Sequence, residues 1–197
     1  TLTTLAYRQS KQPPTGEIEA RDNVAVRFCT DFGASFNWPY HSFYSDRIAE
    51  QRQFYTRWQQ VSPRMHLWIY PHQYRHKLAP MPSIGAVAEN IRFFNEAGAE
   101  ETFIQQSIGM DLGREPMRFW VFSKLMWDPT LDVHDLILDF ILGYYGEAAP
   151  HVVDYHGLLW EHLAKYTDFS RKRNWIYAIH DEQMYRHGFI QKARAVL

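Results

Sequence analysis

Four short runs rich in β-branched and aromatic residues alternate with longer stretches of helical periodicity, and this alternation constrains the fold more than any other feature of the chain. The runs are Thr3–Tyr7, Asn23–Cys29, Met65–Tyr70 and Glu101–Gln106, each bounded by Pro, Gly, Asn or Asp. Between the second and third runs, Ile48, Phe54, Tyr55, Trp58 and Val61 fall mostly on one stripe, which predicts a helix over Asp46–Val61 with Ser45 placed to cap it. Val87, Ile91 and Phe94 predict a second helix over Ile84–Ala97, with Ser83 as N-cap and Gly98 as its stop. Strand–helix–strand alternation implies parallel strands joined by right-handed crossovers. The link from Ser10 to Asp22 is the exception: Pro13, Pro14 and Gly16 predict a crossing without a regular helix.

After the fourth run the pattern is helical throughout. One segment covers Met117–Trp127 and is stopped by Asp128-Pro129. A second covers Asp132–Tyr145, with an apolar face of Val133, Leu136, Ile137, Phe140, Ile141 and Tyr144, and ends at Gly146. A third begins near Pro150 and runs through Leu163. Trp120, Trp127, Phe140 and Trp160 read as packing residues of these helices. The expected fold class is therefore α/β: half of a (β/α)₈ TIM-like barrel followed by a helical C-terminal region, since a full barrel takes about 250 residues. The expected divisions are residues 1–116 for the half-barrel, 117–165 for helices packed on it and 166–197 for a helical tail. The chain opens almost directly on a strand, so a preceding half is expected to come from a missing segment or from another chain.

Composition excludes several classes of function. Lys plus Arg (21) nearly balance Asp plus Glu (22), leaving no basic surplus for a nucleic-acid backbone. The one cysteine, Cys29, excludes an internal disulfide and any zinc site built on several thiolates, and it reads as a small buried thiol. No apolar run approaches the roughly 20 residues of a membrane span. His72 and His76 have the spacing of a metal pair on a helix, but Pro71 and the preceding strand predict extended chain; no metal and no cofactor are expected.

Several strings, in order, carry a family resemblance. They are Thr4-Leu5-Ala6-Tyr7, Pro13-Pro14, Asp22 through Cys29, Leu67-Trp68-Ile69-Tyr70, Pro80-Met81-Pro82, Asn90-Ile91-Arg92-Phe93-Phe94, Lys124 through Pro129 and Gly143 through Pro150. Over about Thr3 to Leu163 the chain resembles the bacterial domain of unknown function 4838. That resemblance implies the second half of a glycoside-hydrolase-type barrel, distantly like α-glucuronidases, acting on polysaccharide-derived sugars outside the cytoplasm. It also implies that the proton-donating acid sits on the strand just before this chain. In three places the chain departs from the family pattern: Ile69 and Ile104 stand where acids are frequent, and Trp38-Pro39 where His-Pro is common. With those acids absent, a non-catalytic carbohydrate-binding module on the same barrel is the alternative.

Glycosidic hydrolysis normally uses two carboxylates, about 5 to 5.5 Å apart in retaining enzymes and about 6.5 to 9.5 Å apart in inverting ones. In a barrel they follow strand C-termini. Asp31, two residues past Cys29, fits that place as base or nucleophile. Alternation puts Ala25, Arg27, Cys29 and Asp31 on one face, and Arg27 would favour the ionised carboxylate. The competing reading of Asp31 is a loop cap or a structural ion pair with Arg27. The segment from Phe32 to Tyr44 is aromatic at six of its thirteen positions. Trp38 and Tyr40 are candidate sugar platforms there, unless the loop packs on its own rings. Tyr70, His72 and Gln105 are expected around the sugar. Asp111 in the glycine-flanked loop is a ligand-contact candidate, while Glu115 reads as the start of the next helix.

Overall fold

The computed structural model describes residues 1–30, 42–71, 83–105, 115–166 and 187–197. Four parallel strands form one sheet in sequential order: β1 (Leu2–Ala6), β2 (Val24–Cys29), β3 (Met65–Ile69) and β4 (Glu101–Ile104). The helices are α1 (Ala49–Val61), α2 (Ile84–Glu96), α3 (Glu115–Trp127), α4 (Val133–Tyr145), α5 (Ala149–Tyr166) and α6 (Phe189–Val196). The chain is thus α/β with a parallel sheet, as the alternation predicts. Between β1 and β2 stands one short 3₁₀ turn, Arg8–Ser10, and no α-helix.

Period-2 alternation sorts the sheet into two unlike faces. Ala6, Val26, Phe28, Met65, Leu67 and Ile69 point to one side, where they are buried in a common core with Tyr55 of α1, with Val87, Ile91 and Phe94 of α2, and with Val121, Phe122 and Leu125 of α3. Phe94 is the hub: its ring lies 4.5 Å from Phe43 and 4.9 Å from Tyr55. Polar ties hold the helical layer in register. Gln59 donates to the Ala97 carbonyl at 2.6 Å, joining α1 to α2. Arg92 of α2 donates to the carbonyls of Pro129 and Leu131, fixing the turn between α3 and α4.

Helix ends follow local chemistry, with one departure. The Asp132 carboxylate accepts from the amides of His134 (2.7 Å) and Asp135 (3.1 Å), so it caps α4, and Gly146 closes that helix with a positive φ of 53°. Gly98, with φ 77°, follows the end of α2. Ser45, expected to cap α1, does not: the chain enters that helix through a 3₁₀ turn, Asp46–Ile48, so the N-cap position falls to Ile48. The Ser45 carbonyl instead accepts from the Ile48 amide and from Arg52 Nη1. Ser83 holds the N-cap position of α2, but its hydroxyl donates to the Pro71 carbonyl rather than accepting from a helix amide.

The tryptophans of the later helices divide. Trp120 packs with Phe140, ring centroids 6.4 Å apart, but Trp127 is 92% exposed and Trp160 40% exposed, against the packing role expected for them. Trp127 ends α3 two residues after buried Leu125, a rotation of about 200° that carries it away from the core. A separate small core, Leu159, Phe189 and Ala193, joins α6 to α5. Among the described residues, no helix is long and apolar enough to cross a membrane. Because Phe94 is fully buried between α1, α2 and the 42–44 segment, Phe94→Ala should cost about 3–5 kcal/mol in urea denaturation, with the two-state form retained.

Candidate functional site

The second face of the sheet carries the polar and aromatic residues, and the strand register arranges them in rows. Pairing Leu5 with Arg27, Arg27 with His66 and His66 with Glu101 places those four side chains across the sheet at one level. Two residues further along, about 7 Å towards the strand C-termini, Cys29 pairs with Trp68 and Trp68 with Phe103.

The lower row is a charge network. Glu101 accepts from Arg27 Nη2. Glu100 accepts from Arg64 Nε at 3.0 Å and Nη2 at 2.8 Å. His66 is buried between the two acids, its Nε2 3.7 Å from Glu100 Oε2 and its Nδ1 3.4 Å from Glu101 Oε2. Its Nδ1 and Arg27 Nε are buried without hydrogen-bond partners. Hydrogen bonds from Arg64 hold the Glu100 carboxyl below its ordinary value; the Arg64 charge adds to this, and His66 contributes less, while partial desolvation opposes them.

The upper row is aromatic and centres on Trp68. Its ring is stacked with Tyr70 (centroids 5.5 Å, planes 18° apart) and with Tyr7 (6.3 Å, 7°), and it meets Phe103 edge-on at 5.4 Å. The indole Nε1 donates to Gln105 Oε1 at 3.0 Å. Gln105 is itself fixed by its amide, which donates to the Ile69 carbonyl at 2.9 Å and so prolongs the β3–β4 ladder. On the other side, the Thr30 amide donates to the Trp68 carbonyl at 2.9 Å, prolonging the β2–β3 ladder to the residue that directly precedes Asp31. The row therefore sits at the C-terminal ends of the strands, where a parallel sheet places its ligands.

Of the candidates read from sequence, the structure brings Tyr70 and Gln105 together around Trp68. Tyr70 is only 5% exposed, so it supports the indole rather than offering a surface of its own. Arg27 stands one row lower, engaged by Glu101. Cys29 is buried at its strand end, as read. Glu115 begins α3, in line with its helix-start reading. Asp31, Trp38, Tyr40, His72, His76 and Asp111 lie outside the described residues. Sequence reasoning missed Tyr7, Trp68 and Phe103. The alternation seen in β2 holds in the other strands and carries their signal, since Trp68 shares parity with His66 and Tyr70, and Phe103 with Glu101 and Gln105.

The two residues that depart from the family pattern by lacking an acid have a clear location. Ile69 is fully buried in the helix-side core, and Ile104 packs against that core. The absence of acids there removes nothing from the second face. Among the described residues, no group of three or more His, Cys, Asp or Glu side chains is arranged to hold a metal ion.

A family model described as "Domain of unknown function (DUF4838)" matches residues 1–157. No curated protein and no solved structure matches the chain.

Because its folded-state value lies below the unfolded one, Glu100 contributes stability that is complete above the ordinary carboxylate value of 4.5 and is lost as pH falls through the folded value. Glu100→Gln should therefore lower stability near neutral pH and reduce the loss on acidification. Urea denaturation midpoints at several pH values below about 6 check this; an unchanged acid limb would exclude the pair as a source of pH dependence.

Proposed function

The chain belongs to the family of domain of unknown function 4838, and from that premise we propose that it is a glycoside-hydrolase-like domain acting on polysaccharide-derived sugars, built as half of a (β/α)₈ barrel. Three observations support the half-barrel. The strand order is sequential, 1-2-3-4, without the reversal that defines a doubly wound sheet. Right-handed crossovers in an unreversed order place all helices on one side, and the core residues of α1, α2 and α3 lie together with one face of the sheet. Parallel sheets are ordinarily covered on both faces, so the second face calls for closure by further strands. Arg27 Nε, buried without a hydrogen-bond partner, suits an acceptor supplied by a facing layer.

The observation that carries the sugar reading is the Trp68 cluster at the strand C-termini. A sugar ring has apolar C–H faces and a polar rim. A half-buried indole flanked by Tyr7 and Phe103, beside the Gln105 amide, matches both parts. In this reading Asp31 acts as base or nucleophile from the end of β2, and the proton donor comes from the completing half. Trp38, Tyr40, His72 and Asp111 belong to the segments that follow the same strand ends in sequence.

Two substitutions test the proposal. Trp68→Ala should weaken binding of a recognised oligosaccharide by about tenfold or more, measured by titration calorimetry. Asp31→Asn in the barrel completed by its other half should abolish turnover while retaining most of the affinity. The 197 residues alone should bind without turnover. Turnover by this chain alone would overturn the division of labour between the halves, and turnover unaffected by Asp31→Asn would remove that residue from the chemistry.

A further inference from the structure

The backbone of Arg8 is left-handed, with φ 48°, a conformation that a residue with a Cβ seldom adopts and that is retained where the surroundings hold it. Here they do. The Ser10 hydroxyl lies 3.0 Å from the Leu5 carbonyl and 2.9 Å from the Tyr7 carbonyl, and accepts from the Tyr7 amide at 3.3 Å. The Lys11 amide donates to the Arg8 carbonyl at 3.2 Å, and Trp58 of α1 donates its indole N–H to the Lys11 carbonyl at 2.8 Å. The turn is thus clamped from both sides just past the C-terminal end of β1.

Its effect is to lay the Arg8 guanidinium over the Tyr7 ring, 5.2 Å from the centroid, and Tyr7 in turn stacks on Trp68. The other arginines attached to this face are neutralised, Arg27 by Glu101 and Arg64 by Glu100. Among the described residues, no carboxylate lies within ion-pairing distance of Arg8, and the residue is exposed. A guanidinium held over one aromatic ring still has N–H donors to offer, in the fork geometry that fits a carboxylate or a sulfate.

We infer that Arg8 makes the aromatic row selective for acidic saccharides, taking the sugar's carboxylate or sulfate group while Trp68 takes its ring. This rests on the sugar reading of the site and adds the charge of the ligand to it.

The test is a glycan array of matched acidic and neutral oligosaccharides, with uronate-bearing and sulfated members as separate arms, probed with the full chain and with Arg8→Ala, Arg8→Gly and Trp68→Ala. Glycine occupies the left-handed region without strain, so Arg8→Gly keeps the turn even if alanine disturbs it. The expected result is binding to acidic members of one arm, weakened about tenfold in both Arg8 variants and by about tenfold or more in Trp68→Ala, and diminished by added salt. Which arm binds decides between carboxylate and sulfate. Equal binding of neutral and acidic members, unchanged in the Arg8 variants, overturns the role of Arg8 and leaves the sugar site standing. Binding of no glycan overturns both.

Discussion

A parallel sheet that never reverses its strand order has one side for its helices, and most of what this chain presents follows from that constraint. The core needs the even-numbered positions Val26 and Phe28 of β2 and the odd-numbered positions Met65, Leu67 and Ile69 of β3, all of one parity along each strand. The opposite parity is released from packing duty on the helical side. It carries Arg27, His66, Trp68, Glu101 and Phe103, with the charged groups paired to one another. The polar and aromatic set and the core set are separated by a single residue step, so a one-residue register slip would exchange them.

The two rows of the second face do different work. The lower row neutralises its charges internally, with two guanidinium–carboxylate pairs and an imidazole between the acids, leaving little net field at that level. The upper row is nearly uncharged and holds its geometry by ring stacking and by one indole–amide hydrogen bond. Among the described residues, a charge beside this row, such as Arg8, therefore meets little opposing charge from the row itself.

The sheet and its helices were legible in the sequence because burial leaves a periodic trace: period two in the strands, and i, i+4, i+7 in residues such as Val87, Ile91 and Phe94. N-capping was not legible: the Asp132 carboxylate caps α4 though the sequence shows it only as the start of that helix, and at Ser45 a 3₁₀ entry looks like a cap in one dimension. The exposure of Trp127 was hidden for a related reason. Helical spacing places a residue on a face, but where a helix ends decides whether anything covers that face. The candidate site was half legible. Tyr70 and Gln105 were found from their place at strand ends, whereas Trp68 and Tyr7 were absorbed into the strands and treated as structure. Arg8 left no sequence signal at all, since its left-handed backbone is imposed by Ser10 and by the Trp58–Lys11 hydrogen bond, contacts that no local pattern encodes.

The same parity decides how the missing acids at positions 69 and 104 bear on function. An acid in a string such as Trp-x-Tyr alternates with the residues that form the aromatic row, so it stands on the helix-facing side. Ile69 there has no exposure, and a carboxylate in its place would have to be protonated, paired or turned out of the strand. Apolar residues at these two positions thus strengthen the core beneath the row without depleting the row itself. In the proposed reading, chemistry would then rest on Asp31 and a completing half, and the two isoleucines, packed on the helix side, do not bear on it.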